Sequence, residues 1–202
     1  MSMDAPSARS NPSHSSGEGE LFRLIEARSF RRGHVILSSR ARSQMYFNLK
    51  PTMLHPRGAY LSAEAFLTLI RPEKVRFAGG LEMGAVPMLG SLAALSEMHG
   101  APLGTFFVRK KPKAHGTKEL IEGLGPDETL AGARVMIVDD VATTGNSILE
   151  AANAARDAGA DVDCALVLVD REEGAHENLG ALGIRLMSVF RGRSFSTIYD
   201  QF

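Results

Sequence analysis

Between Arg134 and Ser147 the chain reads RVMIVDDVATTGNS, and this stretch places several kinds of reactive group side by side. Two adjacent carboxylates, Asp139 and Asp140, follow the apolar run Val135-Met136-Ile137-Val138. A run of that type suits a buried parallel strand. Next comes a loop of hydroxyl, amide and glycine residues, Thr143-Thr144-Gly145-Asn146-Ser147. The loop leads into SILEAANAARDAG, whose alanines and apolar spacing predict a helix. A strand, a short loop and a helix start gather unpaired backbone N–H groups and the positive end of the helix at one point, where anions such as phosphate bind. A phosphate cradle gains nothing from two carboxylates beside it. The acidic pair therefore implies a second element in the ligand: sugar hydroxyls, a divalent cation, or both. The bland alternative for the pair is an N-cap in a solvated turn, and Thr143 and Ser147 taken singly are also good helix caps.

A second reactive segment lies upstream. A strand over Thr105–Val108 runs into Arg109-Lys110-Lys111-Pro112-Lys113-Ala114-His115-Gly116, with five potentially cationic side chains in seven residues. Charges this dense repel one another and cannot enter a core. A polyanionic ligand would relieve the repulsion and order the loop, as in a lid over an active site. A solvated basic loop or a nucleic-acid patch is the alternative.

Together these motifs resemble a known family. Four apolar residues, an acidic pair, then TTG and a hydroxyl residue are similar to the phosphoribosyl-pyrophosphate (PRPP) signature of type I phosphoribosyltransferases. The resemblance implies that Asp139 and Asp140 hold the ribose hydroxyls. It implies that Val141, Ala142, Thr143, Thr144, Gly145, Asn146 and Ser147 wrap the 5′-phosphate. The order RK-x-x-K-x-HG, followed by a short IEG strand, resembles the mobile catalytic loop of the orotate phosphoribosyltransferases. Arg109, Lys110, Lys113 and His115 would then contact the pyrophosphate, with Arg109, Lys113, Asp139 and Asp140 as the catalytic set. Lys111 falls at a variable position and carries no assignment. MYFNLKPTMLHPRGAYL at 45–61 looks like the first orotate-contacting region, and GGLEMGAVP at 79–87 like the loop that receives pyrophosphate. In DREEG at 170–174, Arg171 matches the arginine that grips orotate, with Thr143 touching both orotate and the phosphate loop. The alternative for Arg171 is an ion pair with Asp170, Glu172 or Glu173.

Two departures from the family pattern stand out. Ser38-Ser39-Arg40-Ala41-Arg42-Ser43 replaces a Ser-Gly-Arg turn, and Met83-Gly84 replaces a tyrosine–lysine pair found in some members. The second change removes a cation, which another side chain such as Lys50 would have to supply.

The elements that must position these groups alternate along the chain. Helices are predicted at Leu21–Ala27, Ala59–Ile70, Gly84–Met98, from Ser147 onward, and near Ala175–Leu182. Extended segments are predicted at His34–Ser38, Met45–Leu49, Val75–Ala78, Thr105–Val108, Arg134–Val138, Ala165–Val169 and Arg185–Val189. This is an α/β pattern, with a central parallel sheet flanked by helices. The resemblance implies the type I phosphoribosyltransferase fold with a small N-terminal hood. Ligands of such sheets bind outside the carboxyl ends of the strands. Residues 1–18, rich in Ser, Pro and Gly, read as a flexible tail, and 19–202 as one domain.

Composition sets further bounds. With 23 basic and 23 acidic residues the charge balances, which argues against a general nucleic-acid binder. No long apolar segment suggests a signal peptide or membrane span. The single Cys164, within an apolar strand, reads as a buried small hydrophobe and suits a reducing cytoplasm. The resemblance implies PRPP and orotate as substrates, orotidine 5′-phosphate and diphosphate as products, and a cytoplasmic step of pyrimidine synthesis. It also implies a homodimer with shared active sites. Mg²⁺ is expected to bind through substrate and water, without a dedicated protein metal site. The rivals are a phosphoribosyltransferase for another base and a non-catalytic PRPP-sensing regulator.

Overall fold

A computed structural model describes residues 16–36, 42–111 and 120–195. Helix α1 (Ser16–Ser29) leads into a two-stranded antiparallel sheet of β1 (Phe30–Ile36) and β2 (Arg42–Phe47). The helix starts at Ser16, so residues 16–18 belong to it and not to the tail in which their composition placed them. The one-turn helix α2 (Lys50–Met53) and helix α3 (Pro56–Ile70) follow. Together α1, β1, β2 and α2 form the hood.

The main sheet is built from β3 (Phe77–Leu81), β4 (Gly104–Val108), β5 (Ile121–Glu122), β6 (Arg134–Ala142), β7 (Asp161–Asp170) and β8 (Arg185–Arg191). Its spatial order is β5-β4-β3-β6-β7-β8, and every pairing is parallel except the short β4–β5 edge. Helices α4 (Val86–Met98), α5 (Asn146–Asp157) and α6 (Ala175–Gly180) complete the fold.

Side-chain alternation along the strands explains how both faces of the sheet are covered. Val135 and Ile137 pack with α5 and α6 residues such as Ile148, Ala151 and Leu179. Met136 and Val138 point the other way, into a core shared with α3, α4 and the hood. Cys164 belongs to that second core and is fully buried. Burial pushes its thiol up to about 12, so it is a packed apolar group, as its sequence context suggested.

The hood is tied to the far end of the sheet by phenylalanines. Phe22 of α1 stacks on Phe195 with ring centroids 4.3 Å apart, and Phe30, Phe47 and Phe190 each lie within 6.0 Å of the Phe195 ring. From β3 the chain runs outward through β4 to β5, then returns to the other side of β3 and continues through β6, β7 and β8. The direction of winding therefore reverses between β3 and β6. That reversal opens a crevice at the carboxyl ends of the two strands, where α/β sheets bind ligands.

Candidate active site

Strand β6 extends four residues beyond the predicted end at Val138. Its pairing with β7 continues through Val141 opposite Val169 and Ala142 opposite Asp170. Asp139 and Asp140 therefore lie inside the second half of the strand instead of after its end. Asp139 is only 5% exposed, which excludes the solvated-turn reading. Its Oδ2 accepts a hydrogen bond from the Ser147 hydroxyl at 2.6 Å, and its Oδ1 accepts the Asp140 N–H at 2.9 Å. Burial, reinforced by the neighbouring Asp140 charge, pushes the Asp139 carboxyl up to about 7. Asp140 turns toward the cleft, where its Oδ1 accepts the Val141 N–H at 2.9 Å and its Oδ2 lies 3.8 Å from Lys50 Nζ.

The loop after β6 has the form expected of an anion cradle. Gly145 occupies the N-cap of α5 with φ +87°, and no side chain caps the helix. Thr143 and Ser147 are thus not its caps, and Ser147 is committed to Asp139. The positive φ is open to glycine but strained for any side chain, and a Cβ at 145 would also lie 2.9 Å from Leu179 Cγ. The amide of Asn178, at Nδ2, donates to the Thr144 carbonyl at 3.0 Å and braces the loop from α6. Thr144 and Asn146 are exposed, while Ala142 is buried.

Across the crevice, β3 ends in Glu82-Met83-Gly84, with a cis peptide between Glu82 and Met83. A methyl on Gly84 would fall 2.5 Å from Asp139 Oδ1 and 3.1 Å from Asp140 Oδ1. The β3 loop and the end of β6 therefore meet through bare backbone on one side and carboxylate on the other. The cleft between them measures about 550 Å³ and is lined by Lys50, Glu82, Lys110, Asp139, Asp140 and Ser147, among others. A larger hollow of about 750 Å³ beside β5 and the end of α5 contains neither the acidic pair nor the phosphate loop.

The basic segment begins at the rim of this cleft. The Lys110 N–H donates to Glu82 Oε1 at 2.9 Å, tying the segment to the β3 loop. Arg109 sits beside β5, with its guanidinium 3.5 Å from Glu122 and its Nε donating to the Lys111 carbonyl at 3.2 Å. Lys113 and His115 lie outside the described residues, as do Ser38, Ser39, Arg40 and Ala41 of the altered turn. Arg171 directly follows β7, and its N–H donates to the Ala142 carbonyl at 2.9 Å. Its buried guanidinium pairs with Glu173 at 2.7 Å, so the ion pair weighed from sequence is present. Glu82 and Asn178 escaped the sequence reading. Glu82 sits inside a motif already singled out, whereas Asn178 reaches Thr144 across 34 residues and leaves no local signal.

A phosphate cradle, an acidic pair for hydroxyls or a cation, and a basic segment at one sheet crevice define a phosphoribosyltransferase site. Residues 58–181 match the model of the phosphoribosyl transferase domain. An orotate phosphoribosyltransferase of Bradyrhizobium diazoefficiens is 50% identical over 183 residues, covering 91% of this chain and 98% of that protein. Among solved structures, the orotate phosphoribosyltransferase of Mycobacterium tuberculosis H37Rv in complex with Fe(III) dicitrate superposes with a TM-score of 0.75. It is 35% identical and covers 89% of this chain and 98% of that one. The same enzyme in complex with PRPP gives a TM-score of 0.73 at 32% identity, with 89% and 99% coverage. The chain belongs to the orotate phosphoribosyltransferase family.

Proposed function

We propose that the protein transfers the 5-phosphoribosyl group of PRPP to orotate, giving orotidine 5′-phosphate and diphosphate. The observation that carries this reading is the buried Asp139 and cleft-facing Asp140 set against the uncapped start of α5. The N–H groups of the 143–147 loop hold the 5′-phosphate, and the two carboxylates orient the ribose through its hydroxyls. Leaving-group departure builds negative charge on the diphosphate. Lys110, with Arg109, Lys113 and His115 of the same segment, stabilises that charge as it develops and shuts out water that would hydrolyse PRPP. Arg171 grips the planar orotate carboxylate through its guanidinium fork, exchanging part of its Glu173 pairing for the substrate, while Thr143 spans orotate and the phosphate loop.

Asp140, whose carboxylate faces the cleft, offers oxygen to a hard divalent cation that arrives with PRPP. Mg²⁺ bound with PRPP would neutralise part of the diphosphate charge, held chiefly by substrate oxygens and water. The enzyme works as a homodimer whose basic segment reaches into the neighbouring subunit's site. Leu54, Tyr60 and Met83 are exposed apolar side chains available to such an interface. Among the described residues no helix is long and apolar enough to cross a membrane. A cytoplasmic role in UMP synthesis accords with the single, buried thiol.

The deciding assay is loss of orotate absorbance with purified protein, PRPP and Mg²⁺, run beside adenine, hypoxanthine and uracil. PRPP-dependent loss of orotate alone is the expected result. Turnover of another base would overturn the specificity, and PRPP binding without turnover of any base would favour a sensor.

A further inference from the structure

The hood holds the backbone of Lys50 far more firmly than an incidental surface lysine requires. Lys50 opens α2 between buried Leu49 on one side and buried Thr52 and Met53 on the other. The Ser29 and Thr52 hydroxyls meet at 2.6 Å in the interior, and Arg28 Nε donates to the Pro51 carbonyl at 3.0 Å. Helix α3 backs this turn so closely that a methyl on Gly58 would lie 2.2 Å from the Thr52 carbonyl oxygen. Such anchoring leaves the lysine stem as the moving part. The stem carries its ammonium into the cleft, half-exposed and 3.8 Å from Asp140 Oδ2.

The opposite wall supplies no comparable charge. Glu82, Met83 and Gly84 contain no cation, and Gly84 has no room for a side chain against Asp139. Lys50 and Lys110 are the two ammonium groups lining the cleft among the described residues, against three carboxylates. Arg109 is drawn aside toward Glu122. A diphosphate entering this space meets the carboxylates of Glu82 and Asp140 uncompensated unless both lysines turn to it.

We infer that Lys50 is a substrate-contacting residue that pairs with Asp140 in the unliganded protein and turns to the diphosphate of PRPP when the ribose hydroxyls engage that carboxylate. The inference rests on the cleft being the PRPP site. The exchange keeps both charges compensated in each state, and a flexible four-carbon stem accommodates the swing.

The test compares Lys50→Ala and Lys50→Arg with the unsubstituted protein, using calorimetric titration with magnesium diphosphate and, separately, with ribose 5-phosphate. Lys50→Ala should weaken magnesium diphosphate about tenfold, the scale of one charge-assisted hydrogen bond. Ribose 5-phosphate affinity should stay within about twofold, because that ligand lacks the group Lys50 contacts. The KM for PRPP should rise in step with the diphosphate loss while the KM for orotate does not, and Lys50→Arg should recover most of the affinity. Equal losses for both ligands, no loss for either, or no binding of magnesium diphosphate by the unsubstituted protein would overturn the inference. If that protein binds both ligands yet consumes no orotate, the transferase reading fails and the binding comparison still decides Lys50.

Discussion

Asp139 shows what a buried acid costs and why this site tolerates it. Its carboxyl is raised to about 7 by burial and by Asp140, so the folded protein holds a proton there that the unfolded chain has lost well below neutrality. A raised carboxyl pKa destabilises the fold progressively as pH climbs from about 4 toward 7, and the penalty is fully present above the folded pKa. Asp139→Asn removes the penalty while keeping one of the two hydrogen bonds the side chain accepts. In the unliganded protein the unfolding free energy of the Asn variant should therefore gain on the parent between pH 5 and pH 8. The gain should be on the order of 2 kcal/mol, read from denaturant midpoints at the two pH values. A constant difference across that range would show that Asp139 ionises normally. Arg171 makes a complementary prediction. Lysine keeps the charge but not the fork, so Arg171→Lys should cut kcat/KM for orotate by roughly ten- to a hundredfold with the KM for PRPP little changed. Steady-state kinetics with each substrate varied in turn would check it.

At the scale of elements, the 143–147 loop proposed to hold the phosphate is braced by a neighbouring helix. Asn178 of α6 fixes the Thr144 carbonyl, and that holds the following peptide groups in orientation. Asn178→Ala should lower stability by about 1 kcal/mol and raise the KM for PRPP severalfold, with a parallel loss in ribose 5-phosphate affinity by titration. An unchanged KM would mean the loop orders itself. The same elements show what was legible in the sequence. Apolar runs and loop chemistry exposed β6, β7, α5 and the acidic pair, because burial on both faces and a glycine-rich turn leave local marks. The end of β6 was missed. Asp139 and Asp140 carry no apolar mark and so read as following the strand, but β7 continues alongside as far as Asp170 and supplies backbone partners. Helix α2 falls in the gap between the predicted extended segment Met45–Leu49 and the predicted helix from Ala59, since its single turn has too few residues to show periodicity. Its hold on the fold comes from Ser29, 23 residues from Thr52. Arg171 was readable as a functional arginine and as an ion-pair partner alike, because side-chain spacing does not rank two acceptors.

Across the whole molecule, the crevice between β3 and β6 brings together segments distant in sequence: the hood through Lys50, the β3 loop through Glu82, and the phosphate loop through Ser147. If the basic segment serves a neighbour's site, one sound basic segment and one sound acidic pair suffice for one working centre. Mixing Lys113→Ala subunits with Asp139→Ala, Asp140→Ala subunits should then restore one working site of the two in each verified heterodimer, up to about half the activity of the unsubstituted dimer, where each parent homodimer is inactive. No rescue would place the segment over its own site. The hood is part of this assembly because its lysine faces the crevice while its phenylalanines clasp the opposite end of the sheet. The chain contains no tryptophan, so Phe22→Trp, at the ring that stacks on Phe195, would place a lone indole on the seam between hood and sheet. The docking of the hood could then be followed by light emission from one known position, with no second fluorophore of that kind to confuse the signal.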